Sequence, residues 1–206
     1  MGTCLRHRQR SHKMISDNGK QMLKQTLYAD LQRQYDLEGR TGKEAGLGGV
    51  LLRLLHPRFL PVALCRLSRA ALLSRVPALP QLFTYANIVL FGLEVTPRCE
   101  IGPGLLFPHT HGTVVGAWRI GKNATIYQNV TLGSKRLDMS FEASARPEVG
   151  DDVTLVAGCK VLGGIKIGHR AIVGANSVVL QSVEPNSLVV GVPARTVAAH
   201  APGNVR

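Results

Sequence analysis

The fold of this chain is indicated most clearly by residues 149–179, which read VGDDVTLVAGCKVLGGIKIGHRAIVGANSVV. An apolar residue stands at every sixth position: Val149, Leu155, Val161, Ile167, Val173 and Val179. Four places after the first five of these stand residues that are all small or branched: Val153, Cys159, Ile165, Ala171 and Ser177. This period of six is neither the 3.6 of a helix nor the alternation of a simple strand. It is typical of a parallel β-helix, in which each hexad makes one short strand and a turn, and three hexads complete a coil.

The residues between these strands also fit such a coil. The first residue of each hexad is expected to point into a narrow interior, while turn-forming residues occupy the corners: Gly150, Asp151, Gly168, Gly174 and Asn176. Earlier hexads begin at Val95, Ile101 and Phe107, and one extra residue then shifts the register to Val114, Ile120, Ile126 and Leu132. We therefore predict a mainly β domain over residues 91–197.

Residues 20–90 predict a small α-helical N-terminal domain instead. Apolar residues recur at helical spacing in a first segment from Lys20 to about Glu38: Met22, Leu23, Leu27 and Leu31. A second helix is predicted for Val50–Leu55, before Pro57. A third is predicted for about Leu60–Leu73, with Pro77 and Pro80 ending it.

The composition agrees with this division. Only 5% of the 206 residues are aromatic and 22 are glycine, which fits a core of stacked valine, isoleucine and leucine. The net charge of +12 comes without a nucleic-acid-binding motif, so we assign it to a solvated surface, a disordered basic tail (residues 1–19) and a site for anionic ligands. A short tail, residues 198–206, ends the chain.

The cysteines and the apolar segments indicate the cellular compartment of the protein. Cys4, Cys65, Cys99 and Cys159 have neither disulfide nor metal-site spacing, which is simplest in a reducing cytosol. No stretch is apolar for long enough to span a bilayer, and no signal peptide precedes the helices. We therefore expect a cytoplasmic protein without a membrane span.

Two interruptions of the hexads mark candidate sites. The pattern disappears between Gly133 and Glu148, which predicts a loop (133–148) on a rigid scaffold, a usual place for function. The register shift falls on Phe107–Gly112, which contains His109 and His111. Glu94 precedes His109 by about one coil. A histidine oriented by a carboxylate is a common general base for a hydroxyl group. An isolated histidine caps a turn equally well, so spacing alone leaves this pairing open.

The sequence resembles the serine acetyltransferases, a family of hexapeptide-repeat acyltransferases. The resemblance covers residues 90–197 and rests on these segments: Glu94-Val95, Ile101–Gly104, His109, Thr113–Gly116, Val130–Gly133, Arg146-Pro147, Leu162–Gly164, Gly174–Val179 and Gly191–Arg195. It implies a left-handed β-helix, homotrimers that in some members pair into hexamers, and active sites between neighbouring coils.

The resemblance also implies roles for individual residues. His109 matches the catalytic base of the family, and Glu94 matches its acidic partner, which is usually aspartate. In that chemistry acetyl-CoA gives its acetyl group directly to the serine hydroxyl, and O-acetylserine, the precursor of cysteine, is formed. Acetyl-CoA is then a co-substrate, and no metal is expected.

Two positions depart from the pattern of the family. Pro108 stands where an aspartate usually holds the amine of serine, and Arg146 stands where a histidine often precedes proline. Arg146 can still form a two-pronged pair with a substrate carboxylate, although a solvated loop charge explains it equally well. The acceptor therefore stays open, because sugar O-acetyltransferases resemble this chain nearly as closely.

The resemblance places CoA along small residues that follow the loop. The matching positions are Gly133, Ser134, Ala157, Gly158, Gly163 and Ala175, with Arg195 and Lys160 as candidates for the CoA phosphates. Small side chains allow the pantetheine arm to approach the backbone, but β-helix corners need small residues in any case.

Four functional hypotheses remain at this stage. The first is a serine O-acetyltransferase, and the second is an O-acetyltransferase for a sugar or another small alcohol. The third is a zinc hydratase using His109, His111 and His169, whose spacing matches no known ligand set. The fourth is a scaffold without activity.

Overall fold

The computed structural model describes residues 21–40 and 42–199. The predicted basic tail, residues 1–19, lies outside the described residues, and so do residues 200–206 of the predicted C-terminal tail. Within the described residues, no helix combines the length and the apolar character needed to cross a bilayer.

Four helices precede the first strand in the described part of the chain. They are α1 (residues 21–37), α2 (Leu47–Arg53), α3 (Leu60–Leu73) and α4 (Leu79–Phe91). The bounds predicted for the third helix match α3, whereas α2 begins at Leu47 instead of Val50 and ends at Arg53 instead of Leu55. The sequence prediction missed α4, because Pro80 was interpreted as a helix terminator. Pro80 lies in the first turn of α4, where a backbone N–H has no intrahelical partner to lose.

The rest of the described chain consists of short strands. In chain order they are β1 (Leu93–Val95), β2 (Glu100–Ile101), β3 (Thr113–Val115), β4 (Arg119–Ile120), β5 (Thr125–Ile126), β6 (Thr131–Gly133), β7 (Glu148–Val149), β8 (Thr154–Leu155), β9 (Lys160–Leu162), β10 (Lys166–Ile167), β11 (Ile172–Val173), β12 (Val178–Val179), β13 (Ser187–Gly191) and β14 (Ala194–Ala199). A short 3-10 helix, Ala143–Ala145, lies between β6 and β7.

The strands form three sheets, one for each side of a coil. Sheet A has the order β1-β3-β6-β9-β12, sheet B has β10-β7-β4-β2, and sheet C has β14-β13-β11-β8-β5. All neighbours pair in parallel except β13 and β14, which are antiparallel. The predicted left-handed parallel β-helix with a small helical N-terminal part is confirmed.

The hexads predict the interior of the coil correctly over residues 149–179. None of the six residues at hexad starts is more than 4% exposed, and none of the five residues that follow them by four places is more than 9% exposed. These side chains join one continuous core with the residues of earlier coils, such as Val95, Phe107 and Ile126.

The predicted register at Val114 is wrong. Val114 is 36% exposed, whereas Val115 is 1% exposed and pairs with Val95 and Leu132. The turn around His109 therefore contains two extra residues instead of one, and the corner after Val115 is shorter by one. The interior resumes its predicted positions at Ile120.

A buried ion pair attaches the helices to the first coil. Asp30 of α1 is fully buried and accepts hydrogen bonds from Nε and Nη2 of Arg66 of α3, at 2.8 and 2.9 Å. The same carboxylate accepts the backbone N–H groups of Gly104 and Leu105, both at 2.8 Å. Arg66 also donates to the carbonyl of Ile101 at 2.6 Å. This network fixes α1 and α3 at one corner of the coil.

Candidate active site

The candidate base lies at an exposed turn beside sheet A. His109 follows the buried Phe107 and precedes β3, and its side chain is exposed. The N–H of Gly112 donates to the carbonyl of Gly92 at 2.9 Å, so the turn is tied to the residue in front of β1. The structure therefore brings His109 to the end of sheet A at which Glu94 also lies.

Glu94 is the outward-pointing residue of β1. Its neighbours Leu93 and Val95 are buried, and its strand partner is Val114 of β3. No hydrogen bond or ion pair joins Glu94 to His109 in the described part of this single chain. The role of Glu94 as the partner of the base therefore stays a prediction.

The other two histidines of the coil have separate surroundings. The ring of His111 packs against Gly92, where an added Cβ would lie 3.3 Å from the histidine Cδ2. His169 lies on another corner and accepts the N–H of Asp151 through Nδ1 at 2.9 Å. Among residues 21–40 and 42–199, no group of three His, Cys, Asp or Glu residues is arranged to hold a metal ion.

The outer surface of sheet A extends away from the base. The strand register places these residues in one row: Glu94, Val114, Thr131, Lys160 and Val178. Lys160 is tied within this surface, because its Nζ donates to the carbonyl of Asn129. Gly133 is the last residue of β6, the middle strand of sheet A, and a Cβ added there would meet nothing within 4 Å. An extended ligand can therefore approach the backbone at this position.

The predicted loop lies against the corner between sheets A and B. We call residues 134–146 the strap. Near its start, Nζ of Lys135 donates to the carbonyl of Leu180 at 3.1 Å, and its methylene groups cover Gly163, where an added Cβ would lie 2.9 Å from Cε. At the other end of the coil, Nη1 of Arg98 donates to the carbonyl of Ser140 at 3.2 Å. The strap thus follows sheet A from its first strand to its last.

Arg146 holds the strap and points away from solvent. Its Nε donates to Oδ2 of Asp138 at 2.8 Å, its Nη2 to the Asp138 carbonyl at 2.9 Å, and its Nη1 to the Gly116 carbonyl at 2.8 Å. The Arg146 and Asp138 side chains are 12% and 8% exposed. Arg146 is therefore not a solvated loop charge, and its contact with the carboxylate of the acceptor stays a prediction.

Asp138 also shapes the strap itself. It accepts hydrogen bonds from Ser140 Oγ at 2.9 Å and from the N–H groups of Phe141 and Glu142 at 2.9 and 3.0 Å. Burial opposes ionisation of this carboxylate, but the hydrogen bonds from Ser140, Arg146 and Glu142 outweigh it and lower the pKa of Asp138. Sequence reasoning missed Asp138. An aspartate two residues before a serine is a turn signal that could have identified it.

The positions predicted to bind CoA lie at the two corners where the strands of sheet A begin and end. Ser134 and Gly163 line a cavity of about 620 Å³ between the strap and the coil, and Gly133 precedes the strap. Ala157, Gly158 and Ala175 lie instead on the corners between sheets C and A. Arg195 is an exposed residue of β14, and its Nη1 donates to the neighbouring carbonyl of Ala194 at 2.8 Å. Pro108, the predicted acceptor contact, lies half-buried directly before the base.

Comparison with known proteins gives consistent results. No protein-family model matches the chain. A serine acetyltransferase of Staphylococcus aureus is 47% identical over 107 residues, which are 52% of this chain and 49% of that protein. The chain thus spans about half the length of these curated relatives.

Solved structures of serine acetyltransferases share the fold. The soybean serine acetyltransferase apoenzyme has a TM-score of 0.71 and 32% identity, with 85% of this chain and 69% of that chain covered. A serine acetyltransferase from Brucella abortus, in complex with coenzyme A, has a TM-score of 0.72 and 26% identity, with 86% and 68% covered.

Proposed function

Because this chain belongs to the serine acetyltransferase family, we propose that it transfers the acetyl group of acetyl-CoA directly to the hydroxyl of serine. The product is O-acetylserine. The observation that carries this proposal is the position of His109: it is an exposed histidine on the turn that precedes β3, at the open end of the outer surface of sheet A.

His109 acts as the general base in this reaction. Its imidazole accepts the proton of the hydroxyl while the oxygen attacks the thioester carbonyl. The tetrahedral intermediate then collapses, the C–S bond breaks, and the CoA thiolate takes the proton from the imidazolium. Glu94 serves to orient the imidazole and to stabilise its charged form, as the acid of a catalytic triad does. No acyl-enzyme is formed.

Acetyl-CoA occupies the outer surface of sheet A beside the strap. The open backbone at Gly133 and the cavity lined by Ser134 and Gly163 support this placement. Gly158 and Ala175 lie at the corner where the strands of sheet A begin, and Arg195 is a candidate for the CoA phosphates. The reaction needs no metal ion, since the base and the activated thioester suffice for the chemistry.

The assembly we propose is a homotrimer or a pair of trimers. Both His109 and Glu94 are exposed on the single chain, so another copy is needed to enclose the reacting atoms. Sedimentation at about three or six times the 22.2 kDa mass of one chain is expected, and a monomer that is fully active contradicts this assembly. We assign the reaction to the cytoplasm, where its donor is made available.

The test of the proposal is the variant His109→Asn, assayed by the release of CoA thiol in the presence of serine. We expect the rate to fall by about 10²- to 10⁴-fold, the usual contribution of a general base. His169→Asn is the matched control, because it removes an exposed histidine from a different corner. Unchanged activity of His109→Asn would refute the mechanism.

A second candidate is an O-acetyltransferase for an uncharged alcohol such as a sugar. Two observations favour it: Pro108 offers no charge to an amine, and the guanidinium of Arg146 is engaged by Asp138 and by Gly116. Acetyl-CoA incubated with serine, homoserine and a panel of sugars separates the two. CoA release with sugars but not with serine supports the second candidate and excludes the first.

A further inference from the structure

We propose that Asp138 and Arg146 are positioning residues which hold the strap as a fixed wall of the acyl-donor site. This inference rests on the proposed function, because it concerns the place where acetyl-CoA binds. It gives Arg146 a different role from contact with the acceptor.

The guanidinium of Arg146 is engaged within its own chain through three of its five N–H groups. Nε, Nη1 and Nη2 all donate hydrogen bonds of 2.8–2.9 Å, two of them to Asp138 and one to Gly116. Charge-assisted contacts of this kind are stronger than neutral hydrogen bonds, and burial protects them from screening by salt. A substrate carboxylate would have to displace Asp138 in order to pair with Nε and Nη2 of this group.

The Asp138–Arg146 pair joins two different parts of the molecule. Asp138 organises the turn of the strap through Ser140, Phe141 and Glu142. Arg146 connects that turn to the carbonyl of Gly116, the residue that follows β3. The strap is thereby attached to the coil next to the strand that follows His109.

Aromatic and cation–π contacts of Phe141 also hold the strap against the coil. The guanidinium of Arg146 lies 4.2 Å from the ring centroid of Phe141, and that ring lies 5.7 Å from the ring of Trp118. The guanidinium of Arg98 lies 5.9 Å from the same Phe141 ring. These cation–π and aromatic contacts restrict the strap to one position on the corner of the coil.

The position of the strap determines the width of the donor cavity. One wall of the 620 Å³ cavity is the strap itself, from Ser134 to Ser140, and the other wall is Gly163 and Gly164. The carbonyl of Ser144 lies so close to Gly164 that an added Cβ would be 1.8 Å away. Loss of the Asp138–Arg146 pair is therefore expected to displace the wall formed by Ser134–Ser140 and to leave the wall formed by Gly163 and Gly164 in place.

The experiment uses the single tryptophan of the chain as a reporter. Because Trp118 packs against Phe141, its fluorescence is expected to become more accessible to acrylamide in Asp138→Asn and in Arg146→Met. CoA affinity, measured by titration calorimetry, is expected to fall by on the order of 10-fold, because a strap that is no longer held in place must be ordered when CoA binds. Arg146→Lys keeps the charge but loses the forked contacts, so an intermediate loss is expected.

Arg119→Met is the matched control, because Arg119 is exposed on sheet B and its side chain makes no hydrogen bond or ion pair within the described residues. Its quenching and CoA affinity should equal those of the wild type. A circular dichroism spectrum that stays native in Arg146→Lys shows that the coil is intact, which keeps the test valid if Arg146→Met misfolds.

Two outcomes overturn the inference. If the variants bind CoA as the wild type does, with a raised KM for serine alone, Arg146 serves the acceptor and the positioning role is wrong. If the wild type binds no CoA, the proposed function fails together with this inference. Wild-type binding with weakened binding in the strap variants supports the inference, whichever alcohol is the acceptor.

Discussion

Individual glycines of the coil have two different roles, and Gly158 and Gly133 are an example of each. Gly158 has a φ of +76°, and a Cβ added there would lie 2.0 Å from Oδ1 of Asn176. Gly133 has no atom within 4 Å of an added Cβ. The first glycine is required by the fold, whereas the second leaves space for a ligand. The sequence alone could not distinguish them, since both fit a corner as well as a binding surface.

We therefore predict opposite effects of alanine at these two positions. Gly158→Ala is expected to lower the free energy of unfolding by at least about 1–2 kcal/mol, the cost of a left-handed backbone with a side chain. Gly133→Ala should change it by less than about 0.5 kcal/mol but should raise the KM for acetyl-CoA. Urea unfolding and initial rates measure the two effects. Equal stability of both variants would contradict the assignment.

Arg146 shows why site residues are harder to predict than the core. The interior valines and isoleucines repeat with a fixed period, so each position supports the prediction for the next. Arg146 lies outside the hexads, and its partners Asp138 and Gly116 stand 8 and 30 residues away without any periodic relation. Its contacts depend on where the strap returns to the coil, which no local pattern specifies.

The helices and the coil are joined most firmly by the network around Asp30. This carboxylate connects α1 to α3 through Arg66 and connects both to the corner at Gly104 and Leu105. We predict that Asp30→Ala lowers the free energy of unfolding by about 3–5 kcal/mol, because it leaves the buried guanidinium without its counter-charge.

Asp36→Ala is the control for this prediction. Asp36 lies on the exposed side of α1 and accepts a single hydrogen bond from Gln32 at 2.9 Å. Its loss should cost less than about 0.5 kcal/mol in urea unfolding. Similar costs for the two variants would mean that the network around Asp30 contributes no more than a surface contact.

The secondary structure elements were predictable to the extent that they follow a repeat. The strands of residues 149–179 and the bounds of α3 agree with the sequence, because apolar periodicity and prolines define them. The register at Val115 and the existence of α4 do not follow from the sequence. The turn at His109 accepts a variable number of residues, and Pro80 is equally compatible with the end and with the beginning of a helix.

Buried thiols make the stability of the entire chain sensitive to alkali. Burial raises the pKa of Cys65, Cys99 and Cys159 from 9.0 to about 12. In the unfolded chain these thiols ionise near their ordinary pKa, while in the folded chain they keep their protons. Their contribution is therefore fully present below about pH 9 and is lost as the pH rises from there towards about 12.

We predict that the urea midpoint falls as the pH is raised from about 8 to about 10.5. In Cys159→Ala the fall should be shallower, because one of the three titrating groups is absent, even though its stability at neutral pH is lower. Parallel curves for the variant and the wild type would show that the thiols do not cause the alkaline loss.

The parallel stacking of sheet A places its five strands at a constant spacing. Four inter-strand steps separate β1 from β12, and each step measures about 4.8 Å. The outer surface of sheet A beside the strap is therefore roughly 19 Å long. A compact metabolite that contacts His109 cannot reach Leu180, the residue at the other end of the sheet to which Lys135 donates a hydrogen bond. Only an elongated ligand, with its reactive group at one end, can contact both His109 and Leu180 at once.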